Sequence, residues 1–180
     1  SLALAENAID AASYKPEDIL NSLKGFTVEV GNTDAEGRLA LADTMTNLQR
    51  TVKPSTLIDM ATLTGAMVVA LGTQTCGVFF NDDELATDLV AAGNEALEKA
   101  WKMPIMDNHR EDVKGKEGDL RNLGKDSWGG ACTAASFLEN FVEKDTKWAH
   151  VDIAGPAAMG GRPGFGAQLI LNFLRNKSAQ

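Results

Sequence analysis

The chain has 180 residues, enough for one domain with a hydrophobic core, and its 44% hydrophobic and 23% charged residues are typical of a folded protein. A net charge of -8 without a basic run argues against nucleic-acid binding, and no apolar run reaches the ~20 residues of a membrane span. Cys76 and Cys132 lack the spacing of a zinc site, so we expect free thiols in a reducing compartment.

Strand-like and helix-like segments alternate along the chain. Apolar residues alternate with polar ones in TVEVG, whereas Leu41, Met45 and Leu48 recur at helical spacing. The polar stretch at 107–130 has no clear period and is expected to be a long loop. The sequence predicts strands at 27–31, 55–65, 76–80 and 147–155, and helices at 38–50, 82–102, 131–144 and 167–176.

This alternation predicts an α/β fold with three layers, α/β/α, around a mostly parallel mixed sheet. Ligands of such sheets bind outside the carboxyl ends of the strands. The segments that follow predicted strands are VGNTDAEG at 30–37, ATLTGA at 61–66 and DIAGPA at 152–157. We therefore expect a site where these three segments meet.

Two acids and an arginine occupy alternate positions in the first of these segments. On an extended backbone, alternation would turn Asp34, Glu36 and Arg38 toward the same side. Adjacent carboxylates repel unless a cation or proton lies between them, and two divalent ions ~3.5–4 Å apart form a known hydrolytic arrangement. Alternatively, Asp34 caps a surface helix and Glu36 lies in its first turn. Spacing alone leaves both interpretations open.

The octapeptide NTDAEGRL at 32–39 resembles, residue for residue, the signature of the leucyl aminopeptidase (cytosol aminopeptidase) family of two-metal exopeptidases. The segments ATLTGA, TAASFL and WAHVDIAG also resemble the catalytic domain of that family. The similarity runs over nearly all 180 residues, so the resemblance implies the fold and the activity of this domain.

The resemblance implies a role for each charged residue of the signature. Asp34 would ligate a metal ion, Glu36 would bridge two ions, and Arg38 would hold a bicarbonate that serves as general base. The ions would be manganese or zinc, with magnesium as a third option, and the substrates would be peptides with a free N-terminus. The substrate-binding residues implied are Asn32, Thr62, Leu63, Thr64, Gly65 and Ala154.

One part of the family's metal site has no counterpart in this sequence. The family uses a lysine and two aspartates upstream of the signature, together with a second lysine that polarises the substrate, whereas Lys15 and Lys24 fall outside that motif. The 180 residues therefore resemble a single domain that is the C-terminal part of the catalytic domain, without the N-terminal domain. We expect such a fragment to have little or no peptidase activity. The resemblance also implies a cytoplasmic, hexameric parent protein.

The residues themselves are compatible with two other functions. The acidic pair alone also suits a two-metal phosphoesterase, and a peptidase-derived scaffold without catalysis would be an assembly module. Away from the signature, His150 is expected to be a hydrogen-bonded structural residue. Asp59 and Asp152 lie within apolar strands and are expected to anchor neighbouring loops.

Overall fold

The computed structural model describes residues 1–178, in which seven strands and six α-helices follow a coil segment at 1–18. The strands are β1 Ile19–Asn21, β2 Thr27–Glu29, β3 Thr56–Ala61, β4 Cys76–Phe80, β5 Ala100–Lys102, β6 Leu120–Arg121 and β7 Lys147–Asp152. The helices are α1 Glu36–Val52, α2 Gly65–Leu71, α3 Asp83–Glu95, α4 Asp107–Asp112, α5 Gly130–Glu139 and α6 Ala167–Ser178, with a π-helix at Ala154–Met159.

The strands form two sheets. The larger sheet has the order β3-β7-β4-β5, in which β3 and β7 are parallel, β7 and β4 antiparallel, and β4 and β5 parallel. In the smaller sheet, of order β1-β2-β6, the first pair is antiparallel and the second parallel. Three of the five strand pairs are therefore parallel, and the sheets are mixed, as predicted.

Strand β7 shows how the larger sheet buries both faces. Trp148 packs with Phe79 in the core beneath α1, α2 and α5, whereas Ala149 and Val151 pack with Leu169 beneath α3 and α6. Because successive side chains of a strand point to opposite faces, one strand contributes to both cores. The smaller sheet packs against the first of these cores. The fold has the predicted three layers, α/β/α.

The predicted helix at 82–102 is too long. Helix α3 ends at Glu95, and Leu97 takes a positive φ of 57° before the chain enters β5. Pairing of β5 with β4 overrides the helical periodicity of this stretch. Lys102 consequently lies in a strand, where its Nζ pairs with Asp83 Oδ1 at 2.6 Å, rather than near a helix C-terminus.

Several other predicted boundaries also differ from the structure: α5 ends at Glu139 rather than at 144, and β7 ends at Asp152 rather than at 155. The stretch at 107–130 contains α4 and β6, which have six and two residues and are too short to show a period. The predicted strand at 55–65 stops at Ala61, and Gly65 begins α2 instead of closing a turn.

Both cysteines are free thiols, as expected. None of the helices within 1–178 combines the length and hydrophobicity needed to cross a membrane.

Candidate functional site

The signature segment is a loop that leads from β2 into α1. Asp34 is exposed, and its N–H donates to Asn32 Oδ1 at 2.9 Å in a local turn. Ala35 is the N-cap of α1, so Glu36 and Arg38 are both helical. The prediction of one extended row of charged side chains is therefore wrong, because residues two apart on a helix do not face each other. Glu36 lies in the first helical turn, whereas Asp34 is not the N-cap.

The two signature carboxylates do not by themselves make a divalent-ion site. Nowhere in 1–178 are three or more His, Cys, Asp or Glu side chains grouped so that they could hold a metal ion. Asp34 and Glu36 are two carboxylates, and a catalytic metal ordinarily has at least three protein ligands. A complete metal centre would need at least one further ligand from outside this set.

Asn122 holds the signature loop in place. Its side chain is fully buried, and its Oδ1 accepts from the Gly31 N–H at 2.7 Å while its Nδ2 donates to the Asn32 carbonyl at 2.8 Å. Its own carbonyl accepts from Arg38 Nη1 at 2.8 Å, and its N–H donates to the Glu29 carbonyl at 3.0 Å. Asn122, which directly follows β6, thus joins the end of β2 to both ends of the signature.

Arg38 is a buried cation within this arrangement. Burial lowers the pKa of its guanidinium to about 10, although the negative charges of Asp152 and Glu36 favour the charged form. The group is therefore ionised at neutral pH. Its Nε is buried, and no atom of the described chain accepts a hydrogen bond from it. A buried charged donor without a partner is suited to binding an anion.

Asp152 connects the segments at 61–66 and 152–157 by hydrogen bonds. At the end of β7, its Oδ1 accepts from the N–H groups of Leu63 at 3.2 Å and Ala154 at 3.1 Å. Its Oδ2 accepts from the Thr64 hydroxyl at 2.7 Å. The structure therefore brings together three of the residues expected to bind substrate, and it confirms the prediction that Asp152 anchors neighbouring loops.

The signature and the ATLTGA segment also lie side by side. A Cβ atom on Gly37 would lie 3.4 Å from Leu63 Cδ1, so the first turn of α1 packs against this segment. Thr62, Gly65 and Asn32 are exposed around it. All three strand-end segments thus meet, although β2 belongs to the smaller sheet.

The buried histidine belongs to a separate hydrogen-bonded group. His150 Nδ1 lies 2.5 Å from Asp59 Oδ1, and Trp148 Nε1 donates to Asp59 Oδ2 at 2.7 Å. Burial alone would lower the pKa of His150, but the adjacent Asp59 carboxylate outweighs that effect and raises it. The predicted structural role of His150 is confirmed, whereas Asp59 joins β3 to β7 rather than anchoring a loop as predicted, because both of its partners are side chains of β7.

Asn122 was not predicted as part of the site. It lies in the stretch at 107–130, where no periodicity marks a buried position, and its partners are as many as 91 residues away in sequence. The one local signal is the apolar residue Leu120, two positions before Asn122, which is buried in the core.

Comparison with known proteins gives one consistent result. The model of the cytosol aminopeptidase family, catalytic domain, matches residues 1–170. A "Probable cytosol aminopeptidase" of Chloroherpeton thalassium is 48% identical over 178 residues, which cover 95% of this chain and 35% of that protein. Proteins of the same description from Pasteurella multocida and Persephonella marina are 48% and 46% identical, over 98% of this chain and 36% and 37% of their own lengths.

The chain thus spans about a third of the length of these relatives. Its signature loop, its strand-end segments and its sequence along nearly all of its length agree on one assignment. The chain belongs to the cytosol aminopeptidase family, and the part of the family that it matches is the catalytic domain.

Proposed function

We propose that this chain is the C-terminal part of the catalytic domain of a metal-dependent leucyl aminopeptidase. The intact enzyme would release N-terminal amino acids from peptides by two-metal-assisted hydrolysis. The observation that carries the proposal is the meeting of three segments, 30–37, 61–66 and 152–157, around Arg38 and Asp152. Membership of the family supplies the reaction class.

The metal centre would be completed from outside this chain. Asp34 and Glu36 would contribute carboxylate ligands for two divalent ions, manganese or zinc with magnesium as a third option. Such ions acidify water and polarise the scissile carbonyl. Because two carboxylates are too few, the remaining ligands would come from the part of the protein that precedes this chain.

Arg38 would hold an anion beside that centre. Its buried guanidinium has a donor, Nε, that finds no partner within the described residues. A bicarbonate bound there would accept hydrogen bonds from Arg38 and would serve as the general base. The desolvated position of Arg38 strengthens its attraction for an anion relative to that of an exposed arginine.

The substrate would be a peptide with a free N-terminus. Short side chains of the ATLTGA segment and Ala154 would leave room for an apolar first side chain. The substrate-binding set would be Asn32, Thr62, Leu63, Thr64, Gly65 and Ala154. The intact protein would be a cytoplasmic homo-hexamer. Neither the phosphoesterase nor the assembly-module alternative gains support from the structure or from the relatives.

The test compares the chain alone with the full-length enzyme that carries it, each assayed for hydrolysis of leucine p-nitroanilide with added Mn²⁺. The full-length enzyme should be active, and Asp34→Asn or Glu36→Gln should lower its kcat/KM roughly 100-fold or more, because an amide is a poor ligand for a divalent ion. Asp145→Asn, near the other end of β7, is the matched control and should leave activity unchanged.

The chain alone should show little or no turnover, because its donor set is incomplete. Robust turnover by a homogeneous sample of this chain would refute the claim that the metal centre needs further ligands. An inactive full-length enzyme, with correct folding shown by circular dichroism, would refute the proposed function itself.

A further inference from the structure

Asp152 is a buried carboxylate without a contact ion pair. Its side chain has no exposure to solvent, and no lysine, arginine or histidine nitrogen within 1–178 lies within 4.0 Å of it. Burying an ionised carboxylate is costly unless hydrogen bonds satisfy its oxygens. Here the partners are two backbone N–H groups and one hydroxyl.

These three donors come from two separate connections. Leu63 and Thr64 lie between β3 and α2, whereas Ala154 follows β7. The Thr64 hydroxyl in turn accepts from the Met67 N–H at 3.1 Å and so caps α2. A continuous hydrogen-bonded chain therefore runs from Asp152 to the start of that helix, and one carboxylate holds both connections.

The charge of Asp152 also acts on the signature. Its negative charge, like that of Glu36, opposes the lowering of the Arg38 pKa that burial causes. Asp152 is thus linked to Leu63, Thr64 and Ala154 by hydrogen bonds and to the anion-binding arginine by charge.

Asp59 provides an internal comparison. It is also a buried aspartate, and its strand β3 pairs with β7 in parallel register. Its partners, His150 and Trp148, are both side chains of β7, and neither belongs to the segments around Arg38. Asp59 thus ties two strands together, whereas Asp152 ties two connections at the site.

We propose that Asp152 is a positioning residue that sets the width of the pocket for the first side chain of the substrate. It would do so by fixing the Leu63–Thr64 backbone relative to Ala154. This inference rests on the proposed function, because the pocket is defined by that function. It adds a residue that controls selectivity without touching the substrate.

Asp152→Asn is the direct test, because the replacement keeps the shape of the side chain. Its Oδ1 can still accept from both N–H groups, but its Nδ2 cannot accept the Thr64 proton. In the full-length enzyme, we expect the ratio of kcat/KM for leucine p-nitroanilide over alanine p-nitroanilide to change about 10-fold, mainly through KM. Asp59→Asn should lower stability and leave that ratio unchanged.

Substitutions of Thr64 provide a second arm that does not depend on the folding of the aspartate variant. Thr64→Val removes the hydroxyl and should change the ratio in the same direction as Asp152→Asn, and the double variant should change it no further than either single variant, because the two residues act through one hydrogen bond. If the variants of both residues lower the two rates in parallel at a constant ratio, the role of Asp152 is only structural and the inference is overturned.

Failure of the proposed function gives a different result. A wild-type enzyme inactive toward both anilides would refute the aminopeptidase assignment. In that case the ¹⁵N–¹H spectrum of the full-length protein, labelled only at leucine and alanine nitrogens, still tests the geometry. The amide protons of Leu63 and Ala154 should both move upfield in Asp152→Asn, and unchanged shifts would contradict the hydrogen bonds on which the inference depends.

Discussion

A single amide side chain determines the conformation of the loop that carries the signature acids. Asn122 uses both ends of its amide on backbone groups of Gly31 and Asn32, and its carbonyl holds Arg38. Because the amide is fully buried, water cannot replace any of these partners. The positions of Asp34 and Glu36 therefore depend on a residue that contributes no charge.

Asn122→Ala should lower the free energy of unfolding by about 1–3 kcal/mol, because the N–H of Gly31 and the carbonyl of Asn32 would each lose a hydrogen-bond partner at a partly buried position. Urea denaturation followed by circular dichroism measures this. Asn94→Ala, an exposed asparagine in α3, is the control and should change stability by less than about 0.7 kcal/mol. A loss below about 1 kcal/mol for Asn122→Ala would contradict the proposed restraint.

At this scale the sequence identified the family but did not predict the backbone conformation of the signature residues. The signature NTDAEGRL identified Asp34, Glu36 and Arg38, but the assumption of an extended backbone was wrong because α1 begins at Glu36. Asn122 could not be found, because its contacts depend on β6, a strand of only two residues. Local patterns reveal residue types suited to a reaction, whereas their surroundings depend on tertiary contacts.

Among the elements, some periodic segments were predicted with the correct bounds, whereas the helix predicted at 82–102 was too long and the short elements β5, α4 and β6 were missed. The strand at 76–80 and the helix at 167–176 lie where periodicity placed them. The order β3-β7-β4-β5 could not be predicted, because β7 inserts between two earlier strands and pairs antiparallel with one of them. Strand order depends on packing between distant segments, which single-sequence periodicity does not contain.

The contact between α3 and α6 requires a glycine. A Cβ on Gly93 would lie 2.6 Å from the Glu98 carbonyl oxygen and 2.9 Å from Leu169 Cδ1. Alanine favours the helix by about 1 kcal/mol, but overpacking costs about 1–3 kcal/mol, and here a backbone atom would have to move. Gly93→Ala should therefore be destabilising by about 1–2 kcal/mol, measured by urea denaturation.

Gly164→Ala is the matched control for this change. A Cβ there would meet no atom within 4 Å, so the variant should be as stable as the wild type or slightly more stable. If Gly93→Ala instead raised the stability, helix propensity would outweigh the contact with α6, and the packing argument for this pair of helices would be wrong.

The whole chain has a larger accessible surface than a compact monomer of the same mass. Its accessible surface is 9943 Å², whereas a compact monomer of 19.2 kDa exposes roughly 8400 Å². Large apolar side chains contribute to this surface, and Leu2, Leu4, Ile9, Val69 and Trp128 are each more than four-fifths exposed. In addition, β3 has a paired neighbour on one side only, which leaves an open sheet edge.

The isolated chain should therefore self-associate. Exposed apolar patches and unpaired strand edges drive association at micromolar to millimolar concentrations. At about 100 μM, sedimentation velocity should show species heavier than the 19.2 kDa monomer, and the chain should bind the dye ANS. The full-length enzyme is the control, and it should bind less ANS per mole because its other residues would cover these surfaces. If the chain is instead a monodisperse monomer that does not bind the dye, its exposed apolar side chains and the open edge of β3 do not cause association. The argument that other residues of the full-length enzyme cover them would then fail.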